Sequence, residues 1–137
     1  MKKKTITAII ERGEDGAFSI YAQDDNVPVF ANGLTEKEAR EEFEQIMKEQ
    51  AEYIKETTGE VPQWYSPDIK VDYRYDLTAF FQAFPFVSAS GLARAIGINP
   101  SLMRKYKSGI AKASEAQKNI IQGKLDNIVE RLQAVHF

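Results

Sequence analysis

Apolar and polar residues alternate from Thr5 to Glu11, placing Ile6, Ala8 and Ile10 on one side of the chain. A period of two is that of a half-buried β-strand. The run Gly13-Glu14-Asp15-Gly16 then signals a turn, because glycine takes the positive φ angles that a tight reversal needs. Phe18 and Ile20 resume the alternation with Ser19 and Tyr21, so the two segments predict a β-hairpin. Val27, Val29 and Ala31 predict a third short strand, at an edge or bulged, since Pro28 has no amide to donate.

At Gly33 the pattern changes. Thr35 followed by Glu38 is a capping box, and Ala39, Phe43, Ile46, Met47 and Ile54 recur at helical spacing on one stripe. Gly59 ends this helix and Pro62 forbids its return. Val61 to Asp68 reads as a loop, where Trp64 and Tyr65 either cap the small core or anchor an interface, core or loop packing being the plainer use. Ile69, Val71, Tyr73 and Tyr75 alternate as a fourth strand. After Asp76 every signal is helical: a short helix with Phe80, Phe81 and Phe84 inside, stopped near Pro85; one capped by Ser88 and broken by Gly97; one restarted by Asn99-Pro100 and closed by Gly109; and a last one from about Ser114 to Val135. The expected fold class is α+β, with a β-β-β-α-β domain over residues 1–75 and an all-α domain over 76–137.

Charge divides the chain in the same place. Residues 1–75 hold ten Lys/Arg and sixteen Asp/Glu, 10 − 16 = −6; residues 76–137 hold eight and four, 8 − 4 = +4. The acidic half would be repelled by nucleic acid and suits a basic protein, while the basic half can meet DNA. There is no cysteine, which removes disulfides and cysteine catalysis and fits a reducing cytoplasm. The only histidine, His136, stands next to the C-terminus, so neither a metal site nor a histidine base is expected. No apolar run approaches the length of a membrane span, and MKKKTITAII reads as the first strand rather than a signal peptide.

The all-α half carries the most specific pattern. With Ala89 as first position, Leu92, Ala93, Ile96, Gly97, Ile98, Met103 and Tyr106 occupy the fourth, fifth, eighth, ninth, tenth, fifteenth and eighteenth positions of a helix-turn-helix. Five of them form the wedge between crossing helices, Ala93 is small where the second helix passes close, and Gly97 takes the turn. An αα-hairpin that shares the spacing is the plainer reading. In a helix-turn-helix the outward side of the second helix enters the major groove. That side carries Asn99, Ser101, Arg104 and Lys105, with Lys107 near its end. Arg104 can bond two acceptors of guanine and Asn99 can read adenine. Lys105, Lys107 and Lys112 suit phosphates. Ser88 and Ser90, at the start of the first helix, complete the candidate DNA-binding set.

The N-terminal half, ITAIIERGEDGAFSIYAQD followed by VFANGLTEKEAREEFEQIMKEQAEYI, resembles HicB antitoxins, and SGLARAIGINPSLMRKYKSG resembles the C-terminal module of one HicB subgroup. The resemblance covers nearly the whole chain. It implies a partial RNase H-like N-terminal domain without ribonuclease activity, which binds and blocks HicA, a small basic toxin that cleaves mRNA. It implies a C-terminal domain that represses its own operon by binding operator DNA.

Two other classes stay open beside the antitoxin. One is a stand-alone transcription regulator whose N-terminal domain senses a ligand or dimerises. The other is a nucleic-acid-processing enzyme using Asp15, Asp24 and Asp25, residues more simply explained as turn formers. Glu41, Glu42, Glu44, Glu49 and Glu52 read as a solvated helix face or a docking surface for a basic partner. No catalytic residue, metal or cofactor is expected. A homodimer or higher homo-oligomer is, with Ile121, Leu125, Ile128, Val129 and Leu132 on one stripe of the last helix.

Overall fold

The computed structural model describes residues 4–13 and 15–137. The basic start at Met1 to Lys3, and Glu14 of the expected turn, lie outside them. The chain is mixed α+β and divides into two compact units, residues 1–79 and 80–137.

In the first unit four strands form one sheet in the order β3-β2-β1-β4. β1 (Thr5–Arg12) pairs antiparallel with β2 (Phe18–Ala22), and β2 antiparallel with β3 (Phe30–Gly33). β4 (Lys70–Tyr75) pairs parallel with β1. Helix α1 (Glu36–Thr58) lies over β3 and β2. The register sets Ile10 beside Ile20 and Ile20 beside Ala31 on the covered face, where Phe43, Met47 and Ala39 of α1 meet them. Phe43, Ile10 and Ile20 are fully buried.

The third strand departs from expectation. Val27 and Val29 are buried, but the ladder begins only at Phe30. The Val29 amide donates to Val27 in a tight turn around Pro28, which has no amide for a ladder. The edge position expected for this strand is the one found.

α1 begins as its residues direct. The Thr35 hydroxyl accepts from the Glu38 amide at 3.1 Å, while the Glu38 carboxylate reaches one residue behind the cap to the Leu34 amide. Gly59 closes the helix at φ 83°, a left-handed angle that favours glycine. Trp64 and Tyr65 pack against the core and meet each other edge to face. Arg40 stacks 4.4 Å over the Tyr73 ring and bonds Glu36 and Tyr75. Burial works against its charge, but the hydrogen bond it donates to Glu36 and the interaction with Tyr75 outweigh it and raise its pKa.

Short α2 (Leu77–Ala83) spans the division between the units, capped by Asp76, which accepts from the Ala79 amide at 2.7 Å. Ala79 is fully buried in the core of the first unit, so Asp76–Ala79, expected with the second half of the chain, belong to the first. Of the three phenylalanines expected inside, Phe81 is buried, Phe80 half-buried and Phe84 exposed. The second unit continues with α3 (Ala89–Ile96), α4 (Pro100–Ser108) and α5 (Glu115–Gln133). No described helix is long and apolar enough to cross a membrane.

Candidate nucleic-acid interface

Ser88 caps α3 by accepting the Gly91 amide at 3.0 Å, and Gly97 ends the helix at φ 80°. Two residues later Asn99 caps α4, its side-chain oxygen accepting the Ser101 and Leu102 amides at 2.8 and 3.4 Å. Pro100 then fills the first helical position, where a missing amide costs nothing. These local choices end one short helix and start the next within three residues, Gly97 to Asn99. Apolar residues hold the two helices together: Leu92, Ala93 and Ile96 of α3, with Met103 and Tyr106 of α4, are buried, and Ile98 in the connection is half-buried. Met103 and Ala93 have no exposed surface at all.

With Met103 and Tyr106 turned inward, helical geometry leaves Ser101, Arg104, Lys105 and Ser108 on the other side of α4, and all are exposed. Arg104 is held. Its guanidinium donates to the Ser90 hydroxyl on α3 at 2.8 Å and to the Ser101 hydroxyl at 3.0 Å. Two of its five N–H donors are used in this way, and the planar fork is fixed across both helices. Lys107 turns elsewhere: its ammonium lies 5.9 Å from the centre of the Phe81 ring, a cation–π distance. Lys105 and Lys112 are exposed. Ser88 and Asn99 spend their side-chain oxygens on caps. A two-bond contact of Asn99 with adenine would compete for the oxygen that starts α4.

Between Leu77 and Ser114 the chain has Arg94, Arg104, Lys105, Lys107 and Lys112 and no aspartate or glutamate. No family model, curated protein or solved structure matches this chain. The site therefore rests on its own chemistry, which is a helix side with positive charge and hydroxyls and nothing to repel an anion. Arg94, exposed in the last turn of α3, belongs to the same basic set. Sequence reasoning passed over it because it took only the start of the first helix and the outward side of the second; the acid-free run was the available signal.

The first unit offers different surfaces. Glu41, Glu42, Glu44, Glu49 and Glu52 are all exposed on α1. Asp15 and Asp24 serve turns, accepting the amides of Ala17 and Asn26 at 3.0 and 2.9 Å. An open cleft of about 500 Å³ is lined by Lys4, Gln23, Asp24, Gln63 and Trp64, among others.

Proposed function

We propose that this chain is a DNA-binding regulator of the HicB antitoxin type. In this reading α3 and α4 act as a helix-turn-helix on operator DNA, and the acidic first unit neutralises a small basic HicA-like toxin. The protein works in the cytoplasm as a homodimer or higher homo-oligomer, and carries no catalysis, cofactor or metal of its own.

The observation that carries the DNA-binding part is Arg104, held across two helices on the exposed side of α4, within an acid-free basic stretch. A fixed guanidinium loses little further freedom on meeting a guanine, and its fork can bond two acceptors at once. The toxin-binding part rests on the family resemblance and on the exposed glutamates of α1. Charge of one sign on a docking face raises the association rate with a partner of the other sign.

The test is a titration of the DNA upstream of the chain's own gene, and of a scrambled duplex, at several salt concentrations. Arg104→Ala is expected to cost about 1–3 kcal/mol on the operator and to relax selectivity at one position. Lys107→Ala is expected to weaken both DNAs alike and to lower the salt slope by about one counterion. Equal loss on both duplexes with Arg104→Ala, or no loss, refutes the assigned recognition side. Co-purification of the full chain tests the antitoxin part: a small basic protein released by salt is the expected companion. A second reading, a stand-alone regulator that responds to a small molecule, is favoured by the cleft beside Trp64. That reading predicts DNA binding without the companion.

A further inference from the structure

Two serines on two helices converge on one guanidinium. Ser90 stands in the first turn of α3 and Ser101 in the first turn of α4. Their hydroxyls accept from different terminal nitrogens of Arg104, Ser90 from Nη1 at 2.8 Å and Ser101 from Nη2 at 3.0 Å. The Ser101 bond is a neighbourly one, between residues three apart on the same helix face. The Ser90 bond is not local, and ties the guanidinium to a second helix. One tether lets the planar group turn about it; two, on different nitrogens, fix its plane. Neither hydroxyl is spent on starting a helix, since α3 is capped by Ser88 and α4 by Asn99.

The unit offers donors. Three of the five N–H groups of Arg104 remain, and each serine hydroxyl accepts from arginine while keeping its own proton. Guanine presents two acceptors in the major groove, O6 and N7, whereas adenine and cytosine each place an amino donor there. An unheld arginine has an alternative to the base. Phosphates flank every base pair whatever its identity, and a contact with one adds affinity without reading sequence. A long side chain free to swing can take that contact on any duplex. Holding the guanidinium across α3 and α4 removes this choice.

We propose that Ser90 and Ser101 are positioning residues that set the base selectivity of Arg104, with Ser90, on the helix before the recognition helix, fixing the plane. The inference rests on the DNA-binding reading above. Its test needs no known operator: the full chain selects from a pool of randomised duplexes, and Kd is measured for the enriched duplex and for the same duplex with single base pairs changed. The unaltered chain is expected to enrich a site with a guanine whose selection is lost in Arg104→Ala. Ser90→Ala is expected to keep the site but to lower discrimination at that one position roughly three- to tenfold, the worth of one hydrogen bond, with binding to unrelated duplexes unchanged. Ser90→Thr retains a hydroxyl and is expected to restore the discrimination. In an Arg104→Ala background, Ser90→Ala is expected to change nothing further, because it acts through the arginine. A damaged fold lowers the amount of active protein for all duplexes alike and leaves these ratios where they were. Unchanged discrimination with Ser90→Ala, an equal loss with Ser90→Thr, or a further loss without Arg104 overturns the inference while leaving DNA binding intact. Enrichment of no sequence by the unaltered chain defeats the DNA-binding reading and the inference with it. Nitrogen NMR of the chain without DNA supplies a separate measurement. Exchange between the two terminal nitrogens is expected to be slower for Arg104 than for exposed Arg94, and to quicken in Ser90→Ala. Equal rates in the unaltered chain overturn the inference before any DNA is added.

Discussion

Gly33 ends β3 where the chain turns into α1. A methyl group there would stand 2.4 Å from the Ala39 amide nitrogen and 2.9 Å from the Thr35 carbonyl oxygen. Those are backbone atoms of the helix start and cannot swing aside as a side chain can. Gly33→Ala is therefore expected to cost at least the about 1–3 kcal/mol typical of overpacking. Gly97→Ala has open space around it, and its cost is that of the left-handed backbone, about 1–2 kcal/mol. Urea unfolding of both variants compares them, and a Gly33→Ala protein as stable as the parent would show that helix and strand separate easily. Tyr21 gives a prediction in pH. Burial, then the hydrogen bond to Glu11, pushes its phenol up from 10.0 to about 12. The neutral phenol is the form the fold favours. This contribution is complete below pH 10 and is lost as pH rises through about 12. Tyr73 and Tyr75 shift in the same direction, again mainly by burial. Melting temperature is expected to fall across that window, and to fall less steeply in Tyr21→Phe.

At the scale of elements, α3 and α4 show what holds the candidate interface in shape. Neither is long enough to be stable alone in water, so their mutual packing must supply what local propensity does not. Met103 is the largest fully buried side chain of the pair. Met103→Ala is expected to cost about 2–5 kcal/mol, through lost burial and the cavity left behind. Arg104→Ala, at an exposed position, is expected to change stability by only about 0.5 kcal/mol. Thermal melts of the two variants separate the residue that holds the helices together from the one offered to DNA; a large loss with Arg104→Ala would make its serine bonds structural. α5 is less settled by its own unit. Ile121 is buried and Leu125 and Ile128 are half-buried, but Val129 and Leu132 of the same stripe are exposed.

For the whole molecule, the units divide at residue 79, which moves Asp76 to the acidic side: −6 − 1 = −7 for residues 1–79 and +4 + 1 = +5 for 80–137. Residues 1–79 alone are expected to melt cooperatively. A fragment ending at Tyr75 loses the bond from the Asp76 amide to Ile10 and the buried Ala79, and should melt lower. Circular dichroism of both fragments is the measurement, and equal melting points would place the end of the first unit before Asp76. The sequence by itself determined the elements whose signals are local. Strand alternation, the Thr35 and Asn99 caps, and the stops at Gly59, Gly97 and Gly109 all act within a few residues, and each appears where its residues put it. Local signals did not determine where the β3 ladder starts, because Val27 and Val29 are buried ahead of it, the Val29 amide turned back to Val27 while its carbonyl accepts the Ala22 amide. They did not reveal that Ser90 and Ser101 hold Arg104, since Ser90 and Arg104 are 14 residues apart. Nor could they show that β4 is an edge. That follows from its parallel pairing with β1, a contact between segments more than sixty residues apart, which only the tertiary structure brings together.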